Sequence, residues 1–146
     1  MGERKATAEW AGTLNEGKGN IALGSGAFSG AFSFETRFGE GSGTNPEELL
    51  GAALAGCYAM ALNATLEKDG TPAKYVKAEA KVYLGKDETG FKINRIDLET
   101  EGEVDGFDQE KFEIVAEKVK QTCIISRALA ATDITLKATL VKSKAA

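Results

Sequence analysis

The stretch Thr44-Asn45-Pro46-Glu47-Glu48-Leu49-Leu50-Gly51-Ala52-Ala53-Leu54-Ala55-Gly56-Cys57-Tyr58-Ala59-Met60-Ala61-Leu62 decides the fold. It opens with a capping residue, then proline at the first helical position, then acids in the first turn. These signals predict a helix over Pro46–Lys68. Every residue from Leu49 to Leu62 is apolar or glycine. That run stops short of the ~20 residues needed to span a bilayer. A helix apolar all round is expected to be buried on every side. Its small residues Gly51, Ala52, Ala55, Gly56 and Ala59 allow another backbone to approach closely. The reading is therefore a helix shared between two subunits; the alternative is the central core helix of a monomer.

Outward from this helix the pattern changes period. Upstream, Ala6–Gly12, Gly19–Gly24 and Phe28–Glu35 read as short strands, with Phe28, Phe32 and Phe34 sharing one parity. Glycine-rich turns separate them, as at Gly39-Glu40-Gly41-Ser42-Gly43. Downstream, Val76, Ala78, Ala80, Val82 and Leu84 alternate with polar residues, which predicts a strand with one wet face. A turn over Gly85–Gly90 and a strand over Phe91–Thr100 follow, with broken alternation that implies a bulge. Asp108 caps a helix carrying Phe112, Val115, Ala116 and Val119 at helical spacing. A short helix is expected from Thr122-Cys123 to Ala130, then a last strand with Ile134, Leu136, Ala138 and Leu140. The order βββ-α-ββ-αα-β is α+β, in one domain over 1–146.

Composition removes whole classes of chemistry. The chain has 146 residues and no histidine, so no Ser–His–Asp triad, Cys–His dyad or histidine-ligated metal site is available. Its two cysteines, Cys57 and Cys123, form no CxxC motif and cannot make a four-thiolate site within one chain. No bound cofactor or metal is expected. The net charge is −4, with 18 Lys+Arg against 22 Asp+Glu, which gives no electrostatic reason to bind nucleic acid or an anionic membrane. Met1-Gly2-Glu3-Arg4-Lys5 is followed by no apolar run and does not read as a signal peptide. Sparse cysteines and this start predict a soluble protein of the reducing cytoplasm.

Cys57 lies within the apolar helix, where a free cysteine often does no more than fill space. Cys123 follows Thr122 at an expected helix start, where amide dipoles favour a thiolate, and Arg127 lies on the same face four residues on. Local sequence alone therefore favours Cys123 as nucleophile. Arg37 and Glu47 flank the glycine loop. Taken singly, Arg37 is a solvated strand end and Glu47 a first-turn acid. The loop lacks Gly-Lys-Ser/Thr, and Glu47-Glu48 would repel a phosphate.

Three segments change these odds: Thr36-Arg37-Phe38, Gly43 to Ala53, and Ala55-Gly56-Cys57-Tyr58-Ala59-Met60-Ala61-Leu62. Together with Cys123 followed by Ser126 three residues on, they resemble the OsmC/Ohr family of dithiol hydroperoxide peroxidases. The arginine just before the glycine loop is more similar to the OsmC branch than to the Ohr branch. The resemblance covers nearly the whole chain. It implies an OsmC-like fold and an intertwined homodimer with sites at the subunit interface. It implies Cys57 as the peroxidatic thiol, Cys123 as the resolving thiol, Arg37 as the thiolate-stabilising cation and Glu47 as the acid that positions Arg37. One departure is Ile124, where the family commonly has proline directly after the second cysteine.

The expected activity is reduction of organic hydroperoxides, and more weakly of hydrogen peroxide, protecting against oxidative stress. An external dithiol or lipoyl-type reductant closes the cycle. A pocket lined by Leu54, Tyr58 and aromatic strand residues is expected to favour organic substrates. A non-catalytic dimeric redox sensor or a small apolar-ligand carrier is the alternative. Glu47 and Cys57 lie about 15 Å apart along one helix at 1.5 Å per residue. Either Arg37 spans this distance at full stretch or the acid and the thiol of one site come from different subunits; the second is expected.

Overall fold

The structure, a computed structural model, describes residues 2–142, so the ends of the expected 1–146 domain lie outside it. Ten elements follow one another: β1 (Ala6–Ala11), β2 (Lys18–Leu23), β3 (Ser29–Phe32), α1 (Phe34–Phe38), α2 (Pro46–Lys68), β4 (Tyr75–Asp87), β5 (Gly90–Glu103), α3 (Gln109–Thr122), α4 (Ile124–Ala128) and β6 (Asp133–Leu140). They form an α+β fold with two three-stranded sheets and a long helix, α2. The chain divides into two compact units, 1–49 and 50–146.

The first unit is a thin sheet with strand order β1-β2-β3, antiparallel throughout. Trp10 and Phe32 stack on it, ring centres 5.3 Å apart. Every residue of β1 is exposed in the single chain. The expected strand over 28–35 is shorter than its parity suggested. It ends at Phe32, and Ser33 caps a short helix instead: the Ser33 hydroxyl accepts from the Thr36 amide, and the Thr36 hydroxyl accepts from the Ser33 amide. This reciprocal cap satisfies donors that a continued strand would leave to solvent. Phe34 packs on Phe38 along the new helix, and Arg37 sits in its last turn. Gly43 returns the chain from the loop with φ +144°, where a side chain would strike the Ala31 carbonyl.

The second unit carries the hydrophobic core. Its sheet has order β4-β5-β6, with β4–β5 antiparallel and β5–β6 parallel. The turn between β4 and β5 is tighter than expected, only Glu88-Thr89, with the Asp87 carboxylate accepting from the Thr89 amide and hydroxyl. The expected bulge is present. Tyr83 faces Arg95 and Leu84 faces Ile93, leaving Asn94 unpaired, its side chain filling the space beside Gly85. Ile96 and Leu98 of β5, Phe112, Ala116 and Val119 of α3, and Leu54, Tyr58, Leu62 and Leu66 of α2 are fully buried or nearly so. Each large apolar side chain so buried contributes about 1.5–3 kcal/mol.

Helix α2 has the predicted bounds, and within the single chain one of its faces is buried. Leu54, Tyr58, Leu62 and Leu66 form one row facing the core, and Gly51 lets the helix approach the Ala80 carbonyl of β4. The opposite face, with Ala52, Gly56 and Met60, is open in the single chain, Met60 being 76% exposed. By length and hydropathy α2 is apolar enough to cross a membrane. Its core-facing row places it instead as the core helix of a folded unit.

Candidate active site

Two pairs of side chains stand out, one in each unit. In the second unit Cys57 lies at mid-length of α2, one residue before Tyr58. The Tyr58 hydroxyl donates to the Ala116 carbonyl at 2.8 Å and ties α2 to α3. Burial, then the nearby Glu117 and Cys123 charges, push the Tyr58 phenol well above its ordinary range, so it stays a donor. Cys123 ends α3 and caps α4 at the kink between them. The kink turns its sulfur inward, and the Cys123 and Cys57 sulfurs lie 3.0 Å apart. Both are free thiols, Cys57 half-buried and Cys123 2% exposed.

The two thiols differ in acidity. Burial pushes the Cys57 thiol up, the proton shared with Cys123 adds to this, and the Ile125 and Ile124 amides only partly offset it. Burial also opposes ionisation of Cys123. There the Cys57 thiol, the backbone and hydroxyl of Ser126, and the Ile125 amide outweigh it and bring the group below its ordinary value. The surroundings therefore push the two thiols in opposite directions, Cys57 up and Cys123 down. Ser126 itself is 6% exposed, and among the described residues its hydroxyl oxygen meets no partner of hydrogen-bonding geometry. Such a buried, unpartnered group costs about 1–3 kcal/mol.

In the first unit Arg37 grips Glu47. Its Nε lies 3.1 and 3.2 Å from the two carboxylate oxygens and its Nη2 2.6 Å from Oε1. Glu47 is fixed because α2 starts at a built cap. The Asn45 side chain accepts from the Glu48 amide and donates to the Thr36 carbonyl of α1, and the Thr44 hydroxyl bonds the Glu48 carboxylate. The guanidinium is 40% exposed and Glu47 13%. A pair this open adds at most about 1 kcal/mol to stability. What the grip does is orient a positive fork through its Nε and Nη2.

The structure thus brings Cys57 to Cys123, and Arg37 to Glu47. Two expectations need correction. Leu54 and Tyr58 do not line an open pocket: they lie on the core-facing row of α2 and are wholly buried. Arg37 does not end a strand but sits on α1. In the sequence Asn45 and Ser126 stand only as parts of a pattern. The bond from Asn45 to Thr36 and the missing partner of Ser126 emerge only in three dimensions. Among the described residues no group of three or more His, Cys, Asp or Glu side chains is placed to hold a metal ion.

Two free thiols thus face each other in the second unit of an α+β fold, and the first unit carries an arginine held by a carboxylate. The model of the OsmC-like protein family matches residues 39–138. The chain is 40% identical over 134 residues to peroxiredoxin OsmC of Escherichia coli K12, covering 91% of this chain and 93% of that one. Among solved structures it is similar to the organic hydroperoxide resistance protein OsmC of Legionella pneumophila, with TM-score 0.72, 23% identity, and 92% and 96% of the two chains covered. It is also similar to the organic hydroperoxide resistance protein OhrB of Bacillus subtilis, with TM-score 0.70, 24% identity, and 92% and 98% covered. The chain belongs to the OsmC family.

Proposed function

We propose that this chain reduces organic hydroperoxides by a two-cysteine cycle, Cys57 attacking and Cys123 resolving, in a homodimer. The relative named a peroxiredoxin, 40% identical over 91% of the chain, makes it a thiol peroxidase. The observation that carries the two-thiol reading is the 3.0 Å between two free sulfurs from distant parts of the sequence. A sulfenic acid on either would meet its thiol partner at once.

The cycle balances as follows. The Cys57 thiolate attacks the outer oxygen of ROOH. The O–O bond breaks, Cys57 becomes S–OH, and the alkoxide leaves to take a proton as ROH. The Cys123 sulfur then attacks the Cys57 sulfur, forming the disulfide and releasing water. An external dithiol, of lipoyl or small-thiol type, returns both sulfurs to thiols and is itself oxidised to a disulfide. No bound cofactor enters.

Burial pushes the Cys57 thiol up, so forming its thiolate in the first step calls for a cation. With no histidine in the chain, an arginine is the natural source. Arg37, held by Glu47, fills that role and also stabilises the departing alkoxide. Because about 15 Å of helix separates Glu47 from Cys57, each site draws its Arg37–Glu47 pair from one subunit and its thiols from the other. The open face of α2 and the fully exposed β1 supply apolar and backbone surface for such an intertwined dimer. The two unbonded thiols suit a reducing compartment, the cytoplasm.

The test is turnover. With excess dithiol, the protein should consume many equivalents of an alkyl hydroperoxide, with kcat/KM above that for hydrogen peroxide. Consumption of a single equivalent would mark a sensor instead, and inert thiols would exclude both.

A further inference from the structure

Ser126 is the unexplained group of the thiol site. It lies one helical turn after Cys123, on the α4 side of the kink, in nearly dry surroundings. Among the described residues its hydroxyl meets no partner of hydrogen-bonding geometry. Buried hydroxyls ordinarily find one. The charge it acts on is that of the Cys123 sulfur, which its hydroxyl helps to stabilise. A buried donor left idle beside that sulfur is available to a state in which the sulfur carries charge.

That state arises when the disulfide is reduced. An incoming thiolate reaches the half-buried Cys57 more readily than Cys123, which is 2% exposed. Attack at Cys57 forms a mixed disulfide there and breaks the S–S bond. The electron pair of that bond leaves with Cys123. We propose that Ser126 is a positioning residue that makes Cys123 the leaving group: its hydroxyl donates a hydrogen bond to the departing sulfur, so the external dithiol is joined to Cys57. The second thiol of the reductant then displaces Cys57 from the mixed disulfide and restores the enzyme. A lower-pKa thiol leaves faster, so the hydroxyl speeds this half of the cycle. The inference rests on the two-thiol reading above.

The experiment uses Ser126→Ala. The disulfide is prepared with diamide, so its reduction is measured whether or not a hydroperoxide forms it. Failure of the wild type to form the disulfide with a hydroperoxide would sink the peroxidase reading and leave the Ser126 result standing. Reduction by dithiothreitol in a single turnover is expected to slow several-fold in Ser126→Ala. With 2-mercaptoethanol as probe, the trapped adduct in the wild type is expected on Cys57. In a Cys57→Ser background, the pH profile of Cys123 alkylation by iodoacetamide should shift upward by about one unit when Ser126→Ala is added, the size of one hydrogen bond to a charged group. A merely structural serine would lower the melting temperature and leave that profile in place. Wild-type reduction rates with an unshifted profile, or an adduct on Cys123, overturn the proposal.

Discussion

The two units of this chain are built on opposite terms. The unit from residue 50 onward has a central strand, β5, buried among Leu54, Tyr58, Leu62 and Leu66 of α2 and Phe112 and Val119 of α3. The unit up to residue 49 combines a thin sheet with the short helix α1, and Trp10, Leu23 and Phe28 are more than a third exposed. One can hold its thiols rigidly by itself. The other holds its arginine through local caps and a single carboxylate. The difference teaches that the sulfurs are placed by a core, whereas the cation is placed by hydrogen bonds at two helix ends.

The largest effect should come from the core that holds the sulfurs. Leu62→Ala, at a wholly buried site, is expected to lose about 2–5 kcal/mol of stability in denaturant melts. A loss near zero would mean that this core is not the frame described. Arg37→Ala is expected to slow oxidation of the thiols by hydroperoxide about 100-fold, the scale of removing one preorganised charge-stabilising donor. Its melting temperature should barely move, because the ion pair is exposed. Equal oxidation rates in stopped-flow thiol assays would remove the arginine from the reaction.

The open face of α2 gives a smaller and different effect. Met60→Lys puts an unpaired charge on that face and is expected to weaken self-association about tenfold or more, read by sedimentation against concentration. An unchanged dimer, or a wild type that is monomeric, would leave this face without a partner copy. Tyr58→Phe is expected to cost about 1 kcal/mol, the worth of its bond to the Ala116 carbonyl. It also has a pH signature. The folded-state phenol is raised above its unfolded value, so its stabilisation is present below about pH 10 and is lost as pH rises beyond that. The variant should lose less stability than the wild type on going from pH 9 to 11.

Much of this architecture was legible in the sequence, for reasons tied to range. The bounds of α2 follow from Asn45, Pro46 and the acids beside them, which act within one turn. The cap at Asp108 and the bulge in β5 are equally local. Ser33 was hidden because Phe28, Phe32 and Phe34 share a strand's parity, and its reciprocal partner is Thr36 rather than the usual Glu or Gln. The parallel pairing of β6 with β5 depends on where α3 and α4 return the chain, which no short window contains. Cys57 and Cys123 could be nominated from a resemblance, but not their separation. Local sequence favours Cys123 as nucleophile, and its surroundings lower that thiol below its ordinary value. Ser126 illustrates the remaining gap, since a missing hydrogen bond leaves no mark in the sequence.

The most direct measurement is the thiol balance after one equivalent of an alkyl hydroperoxide is added to the fully reduced protein, with peptide mapping of the product. The proposed cycle predicts that both thiols vanish together, one alcohol forms per chain, and a Cys57–Cys123 disulfide is recovered, with Cys57→Ser leaving the peroxide intact. Two thiols still free after exposure, or a Cys57→Ser variant that destroys peroxide at the wild-type rate, would contradict it.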